Sequence, residues 1–253
     1  MVKLENVSVS YPQKPVLAGV DLQIPEGCLL VITGPNGSGK STLLKAIDGL
    51  MDRTEGRILF RGEDLLTMDP KERALRVAFL SQNRAVPSIT AERLVLHGRF
   101  PYLSYPRHYS KEDWAAVHQA LETVDALPLA KENLTRMSGG QRQKIYIAMA
   151  LAQATPLLLM DEPTTFLDIS QQISVMKLAQ QLAHEGKTVI MVIHDLRLAM
   201  TYADRICICH DGTVTPPKAP EQLIDSPLWE SVFGLRLKRF AAGSGWEYYY
   251  EKA

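Results

Sequence analysis

The chain has 253 residues, 46% of them apolar, enough for one large α/β-sized domain with a substantial core. Its 28 basic residues balance 28 acidic ones, so no global field points to nucleic acid or an anionic surface. The N-terminus lacks the long apolar core of a secretory signal, and no run approaches the roughly 18 apolar residues of a membrane span, so any membrane connection is expected to run through a partner.

In chain order, Val16, Ala18, Val20, Leu22 and Ile24 alternate with other residues, the period of a half-buried strand. Pro25-Glu26-Gly27 supplies a turn, and Cys28–Thr33 is a continuous apolar run suited to a central parallel strand. A glycine-rich loop follows, then a helix predicted from Lys40 to about Leu50. Arg57–Phe60 and Val77–Leu80 read as further strands. From about Ala91 to Ala152 the texture is helical, with Trp114, Val117, Leu121 and Val124 on one stripe. Strand and helix then alternate: Leu157–Met160, a helix over about 168–184, a strand over 188–193, a helix over about 196–203, and Arg205–His210. Cys207 and Cys209 alternate on that last strand, which predicts packing on one face rather than metal binding, and the three cysteines have no disulfide or zinc spacing. Three prolines, Pro216, Pro217 and Pro220, punctuate the tail, and its aromatic end, Trp246–Tyr250, carries no functional signal. No repeat or low-complexity segment is present.

Gly34-Pro35-Asn36-Gly37-Ser38-Gly39-Lys40-Ser41-Thr42 matches the G-x-x-x-x-G-K-[ST] phosphate loop, placed between a buried strand and a helix as that motif requires. Its backbone N–H groups would cradle phosphates at the helix N-terminus. Lys40 would reach the outer phosphates, and the Ser41 hydroxyl would coordinate magnesium. Downstream, the strand Leu157–Met160 runs into Asp161-Glu162, placing two carboxylates at the sheet's carboxyl edge. Asp161 could hold the metal, and Glu162 could act as general base on a water attacking the γ-phosphate. The plainer reading of Glu162 is a surface acid capping the next turn.

Met137-Ser138-Gly139-Gly140-Gln141 is a second anion cradle ahead of a helix with an apolar face at Ile145, Ala148, Met149 and Ala152. Set between the phosphate loop and Asp161-Glu162, it makes the chain similar to the ABC ATPase family over about residues 1–235. The resemblance implies an α/β P-loop ATPase core with a mainly parallel sheet, an N-terminal antiparallel β subdomain and an inserted α-helical subdomain. It implies a division into core (about 1–82 and 153–215), helical subdomain (about 83–152) and C-terminal extension (about 216–253). It also implies two ATP molecules, with Mg2+, sandwiched in a head-to-tail homodimer. In that arrangement Ser138, Gly139, Gly140 and Gln141 close over nucleotide on the partner. Gln82 matches the family's magnesium-sensing glutamine loop, and His194 the histidine that contacts the γ-phosphate. Asp168 matches the aspartate of the loop that crosses to the partner, and Tyr11 the aromatic that stacks on adenine. Taken singly, a strand-end Gln or His is usually structural and Tyr11 a strand aromatic; their joint order carries the likeness.

Leu94–Tyr102, Glu162–Gln172 and His194–Arg205 narrow the resemblance to the ATPases of importers for iron-siderophore, haem and cobalamin chelates. That implies a polytopic permease of two subunits, a substrate-binding protein reached only through the permease, no nucleic acid, and a peripheral place on the cytoplasmic face of the inner membrane. Arg99, Phe100 and Tyr102 would belong to the permease-docking surface, or else to an ordinary loop closing a helix. Two positions depart from the commonest pattern: Met137 replaces a leucine, and Phe166 stands where a small residue is frequent. Transporters for other solutes, soluble ABC ATPases and P-loop phosphotransferases are the alternatives.

Overall fold

The computed structural model describes the chain apart from Gln13, Asn83, Phe166, Gly243 and Ser244, so the departure at Phe166 lies outside the described residues. The first strands are β1 (Val2–Tyr11), β2 (Lys14–Ile24) and β3 (Leu29–Thr33), followed by helix α1 (Lys40–Ile47). Next come β4 (Thr54–Phe60), β5 (Glu63–Asp64), the short helix α2 (Pro70–Ala74) and β6 (Val77–Leu80). Helices α3 (Ala91–Leu96), α4 (Lys111–Thr123) and α5 (Gly139–Ala152) precede β7 (Leu157–Asp161), α6 (Ile169–His184) and β8 (Thr188–Val192). The chain continues through α7 (Leu196–Tyr202), β9 (Arg205–His210), β10 (Thr213–Val214) and α8 (Leu228–Phe233), and ends in β11 (Leu235–Ala242) and β12 (Gly245–Lys252).

The strands form three sheets. An antiparallel sheet has the order β2-β1-β4-β5, and a six-stranded sheet the order β10-β9-β3-β8-β7-β6. In the latter, β9, β3, β8, β7 and β6 run parallel and β10 alone is antiparallel. β11 and β12 form a separate two-stranded sheet. β3, β7 and β8 are buried at every position, as their unbroken apolar runs require of strands covered on both faces. Leu30 and Ile32 face a core shared with the antiparallel sheet and α1, whereas Leu29 and Val31 face the core under α3 to α7. Cys207 and Cys209 both enter the first of these cores, and the described cysteines are free and buried.

Some expected boundaries shift for local reasons. The alternation proposed for β2 holds from Val20 to Ile24 but not before: Leu17 points inward and Ala18 outward. The pairing with β1 slips between Val7 and Val9, beside Gly19 at φ 59°, so a bulge resets which face is buried. Helix α1 stops at Ile47 because Gly49, at φ 69°, turns the chain in a left-handed conformation. The predicted helical stripe is present in α4, whose Val117 and Leu121 are fully buried.

Candidate functional site

At the carboxyl ends of the parallel strands the sequence turns from apolar runs to glycine, hydroxyl and carboxylate. β3 leads into the Gly34–Thr42 loop, β7 ends in Asp161 before Glu162, and β8 is followed by Ile193 and His194. The register sets Ile32 and Asp161 both beside Val192, so the three strand ends lie at one level. This is the edge at which open α/β sheets bind ligands.

The loop between β3 and α1 could not be built with side chains throughout. At Gly34 a Cβ would lie 2.0 Å from the Cys209 carbonyl oxygen, and Gly39 has φ 109°. β9 braces the loop from the other side, its Cys209 thiol donating to the Ser38 carbonyl at 3.0 Å. Ser38 Oγ is buried with no partner among the described residues, an unused donor inside the loop. Lys40 is almost completely buried, and its ammonium donates to the carbonyls of Gly34 (2.9 Å) and Pro35 (2.8 Å). Burial pushes its basicity below the usual lysine range, with Cys209, Glu162 and Asp161 acting in the opposite direction.

Ser41 Oγ donates to Asp161 Oδ1 at 2.8 Å, joining the first turn of α1 to the end of β7. Burial raises the Asp161 carboxyl above the ordinary range; Glu162 adds to the rise, while Ser41, Lys45 and Lys40 oppose it. Glu162 adopts φ 49°, a left-handed conformation uncommon for a side-chain-bearing residue. That turn directs its carboxylate into three contacts: His194 Nε2 lies 2.5 Å from Oε1, while Gln82 Nε2 (2.5 Å) and Thr165 Oγ1 (3.0 Å) donate to Oε2. Thr165 was missed by sequence reasoning; its place one turn past Glu162 was the available signal.

A cleft of about 260 Å³ brings Tyr11, Asn36, Lys40, Ser41, Thr42 and Glu162 together. Tyr11, at the end of β1, is 43% exposed there, as a face offered for stacking must be. Ser138, Gly140, Gln141 and Asp168 do not line that cleft. Ser138 and Gln141 form a reciprocal capping box on α5, Ser138 Oγ accepting from the Gln141 N–H at 3.2 Å and Gln141 Oε1 from the Ser138 N–H at 2.9 Å. Asp168 caps α6 by accepting from the Gln171 N–H at 2.9 Å. Gly140 sits against Gln171, whose Oε1 would lie 1.8 Å from an added Cβ. Only Gly139 of this segment shares a cleft with Gln82 and Glu162. Met137 is buried, filling the core position its volume predicts.

The proposed docking residues divide. Phe100 and Tyr102 are 49% and 41% exposed, but Arg99 is not a free surface cation. It pairs with Asp113 at 2.9 Å, donates to the Ala152 carbonyl at 2.9 Å and stacks 3.7 Å from the Tyr102 ring centre. Its guanidinium ties the turn after α3 to α4 and α5, the loop-closing role that was the alternative to docking. Among the described residues no helix is long and apolar enough to cross a membrane, and no cluster of three or more His, Cys, Asp or Glu side chains is poised for a metal. The hard oxygen donors that do converge, Ser41 and Asp161, suit a small divalent cation that takes its remaining ligands from substrate phosphates and water.

A phosphate loop on a parallel sheet, with paired carboxylates at the end of β7 one strand beyond β8, defines a nucleotide-binding P-loop ATPase. Residues 17–165 match the sequence profile described as ABC transporter. The chain belongs to the ABC transporter family, as an ATP-binding ATPase. It is 40% identical to the achromobactin transport ATP-binding protein CbrD of Dickeya dadantii (strain 3937), over 91% of this chain and 86% of that protein. It is 38% identical to the ferric enterobactin transport ATP-binding protein FepC of Escherichia coli (strain K12), over 92% and 86%. Among solved structures, the ATP-binding cassette MJ0796, a dimer bound to ADP and Pi, superposes with a TM-score of 0.76 at 33% identity, over 87% of this chain and 99% of that one. The fold also matches a chain of a putative metal-chelate type ABC transporter in an inward-facing conformation, with a TM-score of 0.85 at 24% identity, over 100% and 97%.

Proposed function

We propose that this chain is the ATP-hydrolysing subunit of an importer for iron-siderophore, haem or related metal chelates, and that it works as a homodimer beneath a two-subunit membrane permease. The single observation that carries the catalytic reading is the Glu162 carboxylate, held by Gln82, Thr165 and His194 beside the Ser41–Asp161 pair. The names of the similar proteins, achromobactin, ferric enterobactin and hemin among them, support the cargo class. The place is the cytoplasmic face of the membrane, with a substrate-binding protein engaged only through the permease.

In this reading the loop Gly34–Thr42 binds the phosphates of ATP, and Lys40 exchanges its carbonyl partners for phosphate oxygens. Tyr11 stacks on the base. Ser41, Asp161 and Gln82 hold Mg2+, which when bound neutralises phosphate charge. Glu162 orients and deprotonates the attacking water, and His194 keeps the carboxylate aimed. Ser138, Gly139, Gly140 and Gln141 bind the phosphates held by the second subunit, and Asp168 approaches that subunit. Their absence from the phosphate cleft of their own chain supports a role across the dimer. Residues 83–152 act as the helical subdomain between two core segments, 1–82 and 153–215, with 216–253 as an extension. Phe100 and Tyr102 form part of the permease-docking surface.

The test is Glu162→Gln. Loss of a general base should lower turnover by about 10²–10⁴-fold while ATP still binds. With ATP the variant should elute as a dimer in size-exclusion chromatography. A variant that stays monomeric at saturating ATP, with wild-type nucleotide affinity, would sink the sandwich arrangement.

A further inference from the structure

Just past Gln82, Arg84 turns its guanidinium inward. Its Nε donates to the Ser81 carbonyl at 2.5 Å, and its guanidinium carbon lies 4.5 Å from the centre of the Tyr146 ring. Nη1 is buried with no hydrogen-bond partner among the described residues. A solvated arginine would avoid leaving Nη1 buried without a partner, so the buried placement must be held by something specific.

What holds it is a single side chain of α5. The Tyr146 ring faces the Arg84 guanidinium, and its hydroxyl donates to the Ala85 carbonyl at 2.8 Å. One tyrosine thus grips two consecutive residues by two different chemistries, a cation over a ring face and a phenol on a carbonyl. The same loop carries Gln82, which donates to Glu162 at 2.5 Å. The same helix opens with Ser138 at its N-cap and Gly139 and Gly140 in its first turn. Gln82, Arg84, Gly139, Tyr146 and Glu162 all border one cleft of about 300 Å³.

We infer that Arg84 and Tyr146 clamp the glutamine loop to the helix of the Ser138–Gly140 segment, so that the seat of Gln82 on Glu162 and the position of that segment change together. Both are positioning residues, acting on Glu162 through Gln82. The clamp rests on the reading of Glu162 as the base. Its physical content is that disengaging the helix strips the loop of its anchor, and with it one donor from the carboxylate. A helix that moved away without the loop would leave Arg84 buried, charged and unstacked.

Steady-state ATP hydrolysis by the full chain, with urea unfolding of every variant, tests the clamp. Arg84→Met and Tyr146→Leu should each lower kcat by about tenfold with KM for ATP within about twofold, because binding groups stay in place while the carboxylate loses its alignment. The double variant should be no worse than either single one, since both break the same contact. Arg84→Lys should restore most of kcat, because an ammonium also sits on an aromatic face. If Arg84→Met fails to fold, Tyr146→Phe carries the test: about threefold lower kcat at unchanged KM is expected from loss of the Ala85 contact alone. Wild-type kcat in the folded variants, or losses that multiply in the double variant, would overturn the clamp. Glu162→Gln separates the two readings. Full turnover in that variant removes the base assignment, whereas a dead Glu162→Gln beside fully active clamp variants removes the clamp alone.

Discussion

Asp48, the residue that closes α1, illustrates how burial sets chemistry one side chain at a time. Its carboxyl is pushed up to about 7 from 3.8 by burial, with Arg73 opposing the rise. A carboxyl whose folded value is raised favours the folded state below its unfolded value, near pH 4, and loses that contribution as pH rises through about 7. Asp48→Asn should therefore be more stable than wild type above pH 7, with the gap closing toward pH 4. Urea titrations across that range would check it, and a gap independent of pH would show that the effect is steric. Surroundings also differ between the two carboxylates at the end of β7. Asp161 is almost fully buried and bonded to Ser41, whereas the positive φ of Glu162 turns its carboxylate toward Gln82, Thr165 and His194. Adjacent residues with the same functional group thereby face different surroundings.

Among the elements, the contacts of α5 distinguish two glycines. A Cβ at Gly98 would lie 2.2 Å from the Met149 carbonyl oxygen and 3.2 Å from the Gln153 amide nitrogen, both backbone atoms of the α5 region. Neither can move without the helix, so Gly98→Ala should cost about 1–3 kcal/mol, the range for overpacking. At Gly140 the obstacle is the end of the Gln171 side chain, which can swing away. Replacing a glycine in a helix also gains up to about 1 kcal/mol of propensity. Gly140→Ala should then fold with near wild-type stability, and any fault should appear in turnover. Thermal unfolding of both variants reads the difference; equal losses would mean Gln171 is as rigid as backbone.

For the molecule as a whole, the C-terminal hairpin is the part whose place could not be read beforehand. Trp246–Tyr250 gave no signal because only one of its aromatics, Tyr248, is buried, while Trp246, Tyr249 and Tyr250 stay exposed. Tyr248 and Leu237 are buried in the core that includes α7, while the Tyr249 and Phe240 rings meet at a tilt, 6.0 Å apart, on the outer face. α7 begins just after His194, so the hairpin backs the element that follows that strand end. Ending the chain after Gly234 should remove about 3–6 kcal/mol, an upper figure from burying two large side chains. That is a large share of a typical domain's stability. An unchanged urea midpoint would mean that the hairpin folds apart from the body.

Where residue type and spacing alone decide the outcome, the sequence was sufficient. The phosphate loop needs glycine backbone and one lysine, and parallel strands need unbroken apolar runs, so Gly34–Thr42, β3, β7, β8 and the Asp161-Glu162 pair were legible directly. The order of Gln82, Ser138-Gly139-Gly140, Asp168 and His194 carried the family. What only the tertiary structure decided were contacts between distant segments, which no local period encodes. The bulge at Gly19 is set by pairing with β1, and Arg99 is drawn inward by Asp113 and Ala152. Cys209 meets the phosphate loop from the neighbouring strand, and Arg84 finds Tyr146 beyond the intervening helices α3 and α4. Each depends on three-dimensional proximity between groups whose separation along the chain varies freely, and that proximity is set by packing rather than by sequence pattern.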